Sequence, residues 1–423
     1  MRKFTALLFA FASLHAQDFD LLLKGGLVID PKNGIDGPRD VAILNGRIAA
    51  VEPNIPAASA KRTLNIKGLT VTPGLVDIHV HLFATTGVAD AWAGDKSILP
   101  DGFSFRTGVT TMADAGSAGW RNFETFRHTV IDRVQTRVYA FINIAGLGMM
   151  TDVAEQFTAD MKPEEVAKLA RKHSDVVVGV KSAHYQGADW ISVDRALEAG
   201  REANVPIMVD FGYFHKTRPY WQLVTEKLRP GDISTHFFRG PVPIADRQGK
   251  LYDYLKQARA RGVKFDVGHG GGSFVFRNAV PAIQNNFYPD SISTDLHVGS
   301  MNGPMFDMPT TMSKMLAIGM PLNEVIRAST WNPAQEIRHP EHGHLTKGAI
   351  ADIAVWRVRE GDFAYGDLGG GMVKGKHRLE CELTLKGGQL VYNWNAIGLQ
   401  DWKQLPRDYG IRPVDSIVPP PGK

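Results

Sequence analysis

The pattern of apolar and polar residues changes twice along this chain and divides it into three parts. Residues 17–72 contain short apolar runs broken by Gly, Asn and Pro, which is typical of antiparallel strands joined by tight turns. The same pattern returns near the other end, in ADIAVWRV (351–358) and LTLKGGQLVYN (383–393). Because both ends show it, we predict one small β-sandwich assembled from residues 17–72 and 341–396.

Between these ends, apolar runs alternate with segments of helical periodicity. Segment 163–173 places its acids early and its bases late, as a helix dipole favours, and segment 195–204 is also periodic. Eight apolar runs separated by such segments fit an α/β fold, a (β/α)8 TIM barrel, which we predict over residues 73–340. Active-site residues of that fold lie at the carboxyl ends of the strands. The predicted strands are 75–81, 109–113, 137–143, 176–181, 205–210, 232–236, 263–268 and 291–295.

The two ends of the chain carry signals of a different kind. Residues 1–16 begin with Arg2 and Lys3, continue as an apolar run and end in Ala16, which is the pattern of a secretory signal peptide. We therefore predict that the leader is removed and that the protein is periplasmic or secreted, with a buried N-terminal helix as the alternative. Residues 397–423 contain prolines without periodicity and are predicted to form a C-terminal extension.

Composition narrows the range of partners. The formal net charge of +4 over 423 residues gives little support to a nucleic-acid partner, which usually needs a basic patch. Beyond the leader, no apolar run is long enough to span a membrane, so no membrane partner is predicted. The single cysteine, Cys381, excludes an intramolecular disulfide. We expect a small-molecule substrate, and a homo-oligomer is compatible with these features.

The first candidate for chemistry lies at the end of the first predicted barrel strand, in VTPGLVDIHVH (71–81). Side chains of a strand alternate between its faces, so His79 and His81 point to the same side. Two imidazoles in this arrangement can hold one metal ion. A buried, hydrogen-bonded histidine pair is the alternative interpretation.

The surrounding residues make the motif more specific. PGLVDIHVH, about seventy residues into the chain, resembles the first metal motif of the amidohydrolase superfamily. Together with Lys181, His236, Asp295 and the later segment NPAQEIRHPEHGHLTKGAIADIAVW, it is similar to the amidohydrolase/deacetylase branch, with dihydroorotases as more distant relatives. The resemblance covers about residues 19–395. It implies a (β/α)8 barrel that binds two divalent metal ions, expected to be Zn²⁺.

The resemblance also implies roles for residues at the ends of three later strands. Lys181 would be carboxylated to a carbamate that bridges both metals, and His236 would bind the second metal. Asp295 would bind the first metal together with His79 and His81, and it would act as general acid and base. An ion-paired or snorkelling lysine and a helix-capping aspartate are the structural alternatives.

Strand five departs from the family pattern, because VPIMVD (205–210) ends in Asp210 where two-metal relatives usually have a histidine. A carboxylate is a competent zinc ligand, but it is shorter than an imidazole and adds a negative charge. We favour direct binding of the second metal by Asp210. The alternatives are that His215 on the following loop binds it, or that the second site is weak or empty.

The loop after strand seven adds one more candidate. His269 with Gly270–Gly272, in FDVGHGGGSF, resembles the substrate-side loop of the deacetylase branch, which implies a catalytic role for His269 in stabilising an oxyanion. The glycines could also serve a tight turn with positive φ. The predicted rim of the barrel, formed where the strands end, also contains Asp114, Asn143 and Arg239. Arg239 could hold a substrate carboxylate or form a structural salt bridge.

The predicted function is an exported metal-dependent hydrolase that cleaves an amide or ester bond and resembles deacetylases that act on acylated small acids. A metal-activated hydroxide would attack the carbonyl while Asp295 takes up a proton and later returns it. A cyclic-amide hydrolase of the dihydroorotase or hydantoinase type and a dipeptidase-like amidohydrolase remain as alternatives. A non-catalytic binding protein on the same fold is the alternative from a different class.

Overall fold

The computed structural model of the protein describes residues 18–83, 97–151 and 153–417. The predicted leader, residues 1–16, lies outside this part of the chain. The described residues form two β-sheets and ten α-helices. None of the helices in these ranges is long and apolar enough to cross a bilayer.

The elements are numbered in chain order. The strands are β1 (Phe19–Asp30), β2 (Ile35–Leu44), β3 (Arg47–Glu52), β4 (Ala60–Asn65), β5 (Thr70–Pro73), β6 (Leu75–Val80), β7 (Val109–Gly119), β8 (Arg137–Asn143), β9 (Val177–Ser182), β10 (Ile207–Val209), β11 (Ile233–Ser234), β12 (Lys264–Phe265), β13 (Ile353–Gly366), β14 (Met372–Lys386) and β15 (Gln389–Asn393). The helices are α1 (Pro100–Phe103), α2 (Phe123–Phe126), α3 (Pro163–Lys172), α4 (Ile191–Glu202), α5 (Tyr220–Gln222), α6 (Asp253–Ala260), α7 (Phe276–Gln284), α8 (Met308–Ala317), α9 (Leu322–Ser329) and α10 (Trp331–Glu336).

The first sheet has eight strands and joins the two ends of the chain. Its order is β15-β14-β13-β5-β1-β2-β3, and β4 pairs with β1. Strand β5 makes the junction, because it pairs in parallel with β1 and antiparallel with β13. Side chains of β1 alternate between the faces, so Leu21 and Leu23 enter one buried cluster and Leu22 enters another. Both ends of the chain therefore share one mixed sheet and its core.

The second sheet is parallel and positions the candidate site. Its seven strands follow in chain order from β6 to β12, and the last three are only two or three residues long. Strands β6, β7 and β9 are buried along their whole length, as expected for a parallel sheet covered on both faces. The carboxyl ends of the strands share one edge, which brings together the polar residues that end or follow them.

The predicted eighth strand, 291–295, is not assigned as a strand in the structure. Isolated parallel bridges instead join this segment and the residue after it to Asp266 and Val80, so it touches both edges of a curled sheet. In this segment, buried carboxylates accept hydrogen bonds from backbone amides that would otherwise pair with a neighbouring strand. Asp77, for example, accepts hydrogen bonds from the amide and the hydroxyl of Thr294 at 3.1 and 2.6 Å. Competition from buried side chains explains why this part of the sheet is irregular.

Candidate metal centre

Three buried side chains meet at the carboxyl end of β6. His79 lies in β6 and His81 follows it, so both imidazoles lie on one face. Their Nε2 atoms are 3.5 Å and 3.0 Å from Oδ1 of Asp295. Ligand atoms of the three residues all lie within 4.8 Å of one another. The structure thus brings these sequence-predicted residues together, and we name them the first donor group.

Hydrogen bonds fix the proton position on His79 in this group. Nδ1 of His79 lies 2.8 Å from the hydroxyl of Thr235, which in turn donates to Asp266 at 2.7 Å. Since the hydroxyl has one proton to donate, Nδ1 of His79 is the donor to it and Nε2 keeps its lone pair. Nδ1 of His81 meets the hydroxyl of Ser117 at 3.0 Å. The first donor group therefore offers the nitrogen and oxygen donors that zinc prefers, with partners that orient them.

Lys181 in β9 lies beside the first donor group. It is fully buried, and its Nζ donates to Nε2 of His79 at 3.0 Å. Gly116 makes room for the lysine stem, because a Cβ there would lie 2.7 Å from Cβ of Lys181. Burial lowers the pKa of Lys181, although the carboxylates of Asp210 and Asp295 oppose the shift. The amine is therefore displaced toward its neutral form.

A second donor group surrounds Asp210, the residue after β10. Its Oδ2 lies 3.0 Å from Nε2 of His184 and 3.2 Å from Nε2 of His236. Its Oδ1 lies 3.3 Å from the Arg239 guanidinium. Burial alone would raise the pKa of Asp210, but the imidazoles of His236 and His184 hold it well below its usual value. We name His184, Asp210 and His236 the second donor group.

The tautomer of His236 indicates whether the second donor group can accept a cation. Nδ1 of His236 lies 2.6 Å from the carbonyl oxygen of Gly268, and since a carbonyl only accepts, Nδ1 is the donor. In a neutral ring, the lone pair of Nε2 then faces a carboxylate oxygen of Asp210. That contact is repulsive unless the ring takes a second proton or a cation stands between the two atoms. The donor chemistry of the second group therefore fits a divalent metal ion.

Two residues of this region, His184 and Glu155, were not predicted from the sequence. Nδ1 of His184 lies 2.8 Å from Glu155, and Nε2 lies 3.0 Å from Asp210, so two carboxylates flank one imidazole. Burial alone would lower the pKa of His184, but Glu155 and Asp210 raise it well above its usual value. A histidine three residues after Lys181 is a usable signal. Glu155 lies in a short 3₁₀ helix, Ala154–Gln156, and no sequence pattern marks it.

His215, the alternative ligand for strand five, has a different partner. Its Nε2 lies 2.9 Å from the carbonyl oxygen of Gln186 in a neighbouring loop. In the described part of the chain, no hydrogen bond or ion pair connects it to Asp210 or His236. The structure therefore brings Asp210, and not His215, into contact with His236.

His269 is fully buried beside the loop that it was predicted to serve. Its ring stacks on Phe274, with centroids 4.5 Å apart. Nδ1 lies 3.1 Å from the carbonyl oxygen of Gly270, and Nε2 lies 2.7 Å from Nζ of Lys314. Burial and the nearby lysine lower the pKa of His269 to about 3, so the ring is neutral at physiological pH. Both of its nitrogens are engaged outside the two donor groups.

Two residues of the predicted rim, Asp114 and Asn143, form hydrogen bonds with backbone groups of neighbouring loops. Asp114 accepts hydrogen bonds from the amides of Leu82 and Ser117, at 2.7 and 2.8 Å. Asn143 donates to the carbonyl oxygen of Gly116 at 3.1 Å. Asp114 and Asn143 therefore support the loops that carry the first donor group and Lys181.

Three of the donor residues adopt an unusual backbone conformation. His184, His236 and Asp295 have φ angles of 50°, 58° and 50°, in the left-handed region that side chains other than glycine seldom adopt. Such conformations persist where the surrounding contacts enforce them, and they concentrate at functional sites. The close packing around Asp295 shows this constraint, because a Cβ on Gly270 would lie 2.0 Å from its Oδ2.

Comparison with known proteins places this site in a family. The model of the amidohydrolase family matches residues 275–378. The chain is 33% identical over 357 residues to deacetylase Atu3266 of Agrobacterium fabrum, which covers 82% of this chain and 85% of that protein. It is 31% identical over 388 residues to a deacetylase of Enterococcus faecalis, covering 89% of this chain and all of that protein (100%).

Solved structures agree with these sequence matches. An adenine deaminase structure matches with a TM-score of 0.80 and 29% identity, covering 89% of this chain and 100% of that one. A dihydroorotase structure matches with a TM-score of 0.75 and 30% identity, covering 88% and 99%. The metal motif, the donor groups and these relatives lead to one assignment: the chain belongs to the amidohydrolase family and is a hydrolase that acts on carbon–nitrogen bonds.

Proposed function

We propose that the protein is a metal-dependent deacetylase that removes an acyl group, held by an amide or ester bond, from a small acid. The observation that carries the proposal is the meeting of His79, His81 and Asp295 at one point, in a chain similar over most of its length to two deacetylases. In the second donor group, Oδ2 of Asp210 lies 3.2 Å from Nε2 of His236, and this contact supports a second metal position.

We also propose that the curled parallel sheet closes as a (β/α)8 barrel over residues 73–340, with 291–295 as the eighth strand. Bridges from this segment to both edges of the sheet support the closure. Residues 17–72 and 341–396 would form the small β domain, and 397–423 the C-terminal extension.

The residues of both donor groups would hold two divalent metal ions, with Zn²⁺ expected. His79, His81 and Asp295 would hold the first ion, and Asp210 and His236 the second, with His184 orienting Asp210 through its hydrogen bond. Such ions acidify water and polarise the substrate carbonyl. The rest of the chemistry depends on side chains of this chain.

Lys181 would be carboxylated between the two positions. A neutral amine adds to CO₂ and releases one proton, which leaves an anionic carbamate with two donor oxygens. Full burial and the lowered pKa of Lys181 favour the neutral amine that this reaction needs. An anion at this place would also balance the charge of the bound ions.

Asp295 would move the proton of the reaction. Burial alone would raise its pKa, but the imidazoles of His79 and His81 hold it well below the usual value, so the carboxylate is ionised at neutral pH. It can therefore accept the proton of the attacking water and return it to the leaving nitrogen or oxygen. His269 would stabilise the oxyanion by turning its one N–H, at Nδ1, from Gly270 to the substrate.

The experiment is a substrate comparison on purified, zinc-loaded enzyme. N-acetyl and O-acetyl derivatives of small acids are assayed beside dihydroorotate, hydantoins and dipeptides, with Asp295→Asn as the inactive control. We expect acetate release to dominate. Hydrolysis of the cyclic amides alone would favour the second candidate, a dihydroorotase-type enzyme, which the 30% identical dihydroorotase structure supports.

We also propose that the enzyme is exported and works in the periplasm or outside the cell. The support is the charge and apolar pattern of residues 1–16. N-terminal sequencing of the active form should begin near Gln17. An active enzyme that keeps Met1 would contradict export by this leader.

A further inference from the structure

A second cluster of metal-binding side chains lies away from the donor groups, in the segment HPEH (339–342) after α10. Nδ1 of His339 is 2.7 Å from Oε1 of Glu341, and Nε2 of His342 is 3.6 Å from the same oxygen. Ligand atoms of the three residues lie within 4.8 Å of one another. We propose that this cluster, which we name the HPEH cluster, is a separate binding site for a divalent cation such as Zn²⁺.

The HPEH cluster lies toward the opposite end of the parallel sheet. The ring of His339 stacks on Tyr139, with centroids 3.9 Å apart, and Tyr139 lies near the start of β8. Asn143, which lies at the carboxyl edge of the parallel sheet near the donor groups, is the last residue of the same strand. Four residues of an extended strand span about 13 Å. An ion in the HPEH cluster would therefore be distinct from the ions of the donor groups.

The chemistry of His342 favours a ligand role. It is 5% exposed, and its Nε2 is the nitrogen that faces Glu341 and the hydroxyl of Tyr139. Burial and the charge of Arg137 lower the pKa of His342 to about 4, so the ring is neutral and keeps a lone pair at physiological pH.

The charges around the cluster are compatible with a cation. Arg137 is the nearby positive group, but its guanidinium is bound to the carboxylate of Asp352. Glu341 contributes a further negative charge at the cluster itself. The positive charge of Arg137 is thus balanced by Asp352, and the carboxylate of Glu341 lies at the cluster itself, where it attracts a cation.

The distances suit a four-coordinate ion after a small adjustment. Bonds of 2.0–2.2 Å in a tetrahedron place ligand atoms about 3.3 Å apart. The contacts of 2.7 and 3.6 Å lie on either side of this value. The Glu341 side chain is 51% exposed, so it can move and the ion can enter from solvent. The fourth ligand of the ion would be a water molecule or the hydroxyl of Tyr139, which lies 2.9 Å from Nε2 of His342.

A bound ion would have a structural effect. The HPEH cluster lies on the connection between α10 and β13, where the chain passes from the parallel sheet to the mixed sheet. An ion held by this connection and packed on β8 would fasten the two sheets together. Any ligand that binds only the folded state raises stability in this way. We therefore expect Zn²⁺ to stabilise the fold here without taking part in hydrolysis.

Glu341→Gln gives the direct test, because the side chain is half exposed and the change keeps its size. Full-length protein is stripped of metal, loaded with Zn²⁺, desalted and analysed for zinc. We expect the variant to hold about one ion fewer per chain than the wild type, with turnover unchanged within about twofold. His344→Gln is the matched control, because both nitrogens of His344 are already bound, at 3.0 Å to Pro340 and at 3.2 Å to the Thr346 amide. Equal zinc content in Glu341→Gln and the wild type would overturn the proposal.

A second measurement separates the cluster from the first donor group. A His79→Asn/His81→Asn protein is titrated with Co²⁺, whose visible absorption reports four-coordinate sites with nitrogen and oxygen donors. We expect an absorption band that loses the contribution of one ion when Glu341→Gln is added to this background, while the contribution of the second donor group remains. A band that is unchanged by Glu341→Gln, or that is reduced equally by His344→Gln, would show that the ion is bound elsewhere.

Discussion

Two groups of donor side chains share the carboxyl edge of the parallel sheet, and their partners differ in kind. In the first donor group, the outer nitrogens of His79 and His81 meet the neutral hydroxyls of Thr235 and Ser117. In the second, Asp210 lies against the Arg239 guanidinium and against His184, which also contacts Glu155. Neutral partners orient a ligand without changing its charge, whereas charged partners compete for it.

The difference predicts that the two groups respond differently to a cation. In the first group, Thr235 and Ser117 are uncharged, so a cation breaks no ion pair with these partners. In the second group the imidazolium of His184 and the guanidinium of Arg239 neutralise Asp210 in the absence of metal. A cation must displace part of this pairing. We therefore expect the second metal to bind more weakly and with a stronger dependence on pH.

The largest effect is expected at Asp295, the acid of the first donor group. Asp295→Asn removes the group that accepts and returns the proton, and loss of such a group lowers turnover by about 10²- to 10⁴-fold. Steady-state kinetics on the best acylated acid measures the loss. Turnover within tenfold of the wild type would remove Asp295 from its catalytic role.

Lys181→Ala should have the next largest effect, because a carbamate at this position would serve both groups. We expect loss of metal from both groups and a drop in turnover of about 10²-fold. Short carboxylates such as acetate and propionate should restore part of the activity by filling the vacated space. Normal metal content in the variant would mean that Lys181 is only a buried structural lysine.

The number of metal ions bound per chain tests whether Asp210, which stands where relatives usually have a histidine, is a metal ligand. Asp210→Asn keeps the size of the side chain and removes its charge, so the count should fall from about two toward about one ion per chain. His184→Asn should weaken the second site by about 10- to 100-fold, as expected for a residue that orients a ligand. His215→Asn is the control and should leave both ions in place. A loss in His215→Asn but not in Asp210→Asn would reverse the assignment.

The smallest effect concerns pH. The pKa of His184 is raised in the folded protein, because Glu155 and Asp210 outweigh the effect of burial. Such a group stabilises the fold below its unfolded pKa of about 6.5, and this contribution is lost as pH rises through the folded pKa. Metal-free wild type should therefore lose a few degrees of Tm between neutral and alkaline pH relative to His184→Asn. Parallel Tm curves for the two proteins would show that His184 is not held as an imidazolium.

The sequence predicts the first donor group better than the second for a physical reason. His79 and His81 are two residues apart in one strand, so the strand period alone brings them together. The contacts of Asp210 depend instead on loops after several strands, whose paths no periodicity records. Glu155 is the clearest case, because it reaches His184 from a short 3₁₀ helix.

The same contrast appears in the fold. Strand β8 covers Arg137–Asn143 as predicted, whereas β10 covers only Ile207–Val209 of the predicted 205–210. Apolar runs show where strands lie but not where their ladders end. At β10 the amide of Ile207 is bound by the carboxylate of Asp232 at 2.9 Å instead of a neighbouring strand. This carboxylate ends the ladder at the amino end of β10, which is the end away from the donor groups.

Strand β5 has a consequence for the order in which the molecule assembles. It can pair with β1 as soon as the first strands exist, but its other edge stays open until Ile353 and the residues after it have been made. An open edge of Thr70–Pro73 is a place where nascent chains can pair with one another. Truncation before β13 should therefore produce aggregation even if the whole parallel sheet is present. The last strands of the chain thus act as the closing step of folding, after the residues that carry the chemistry have been synthesised.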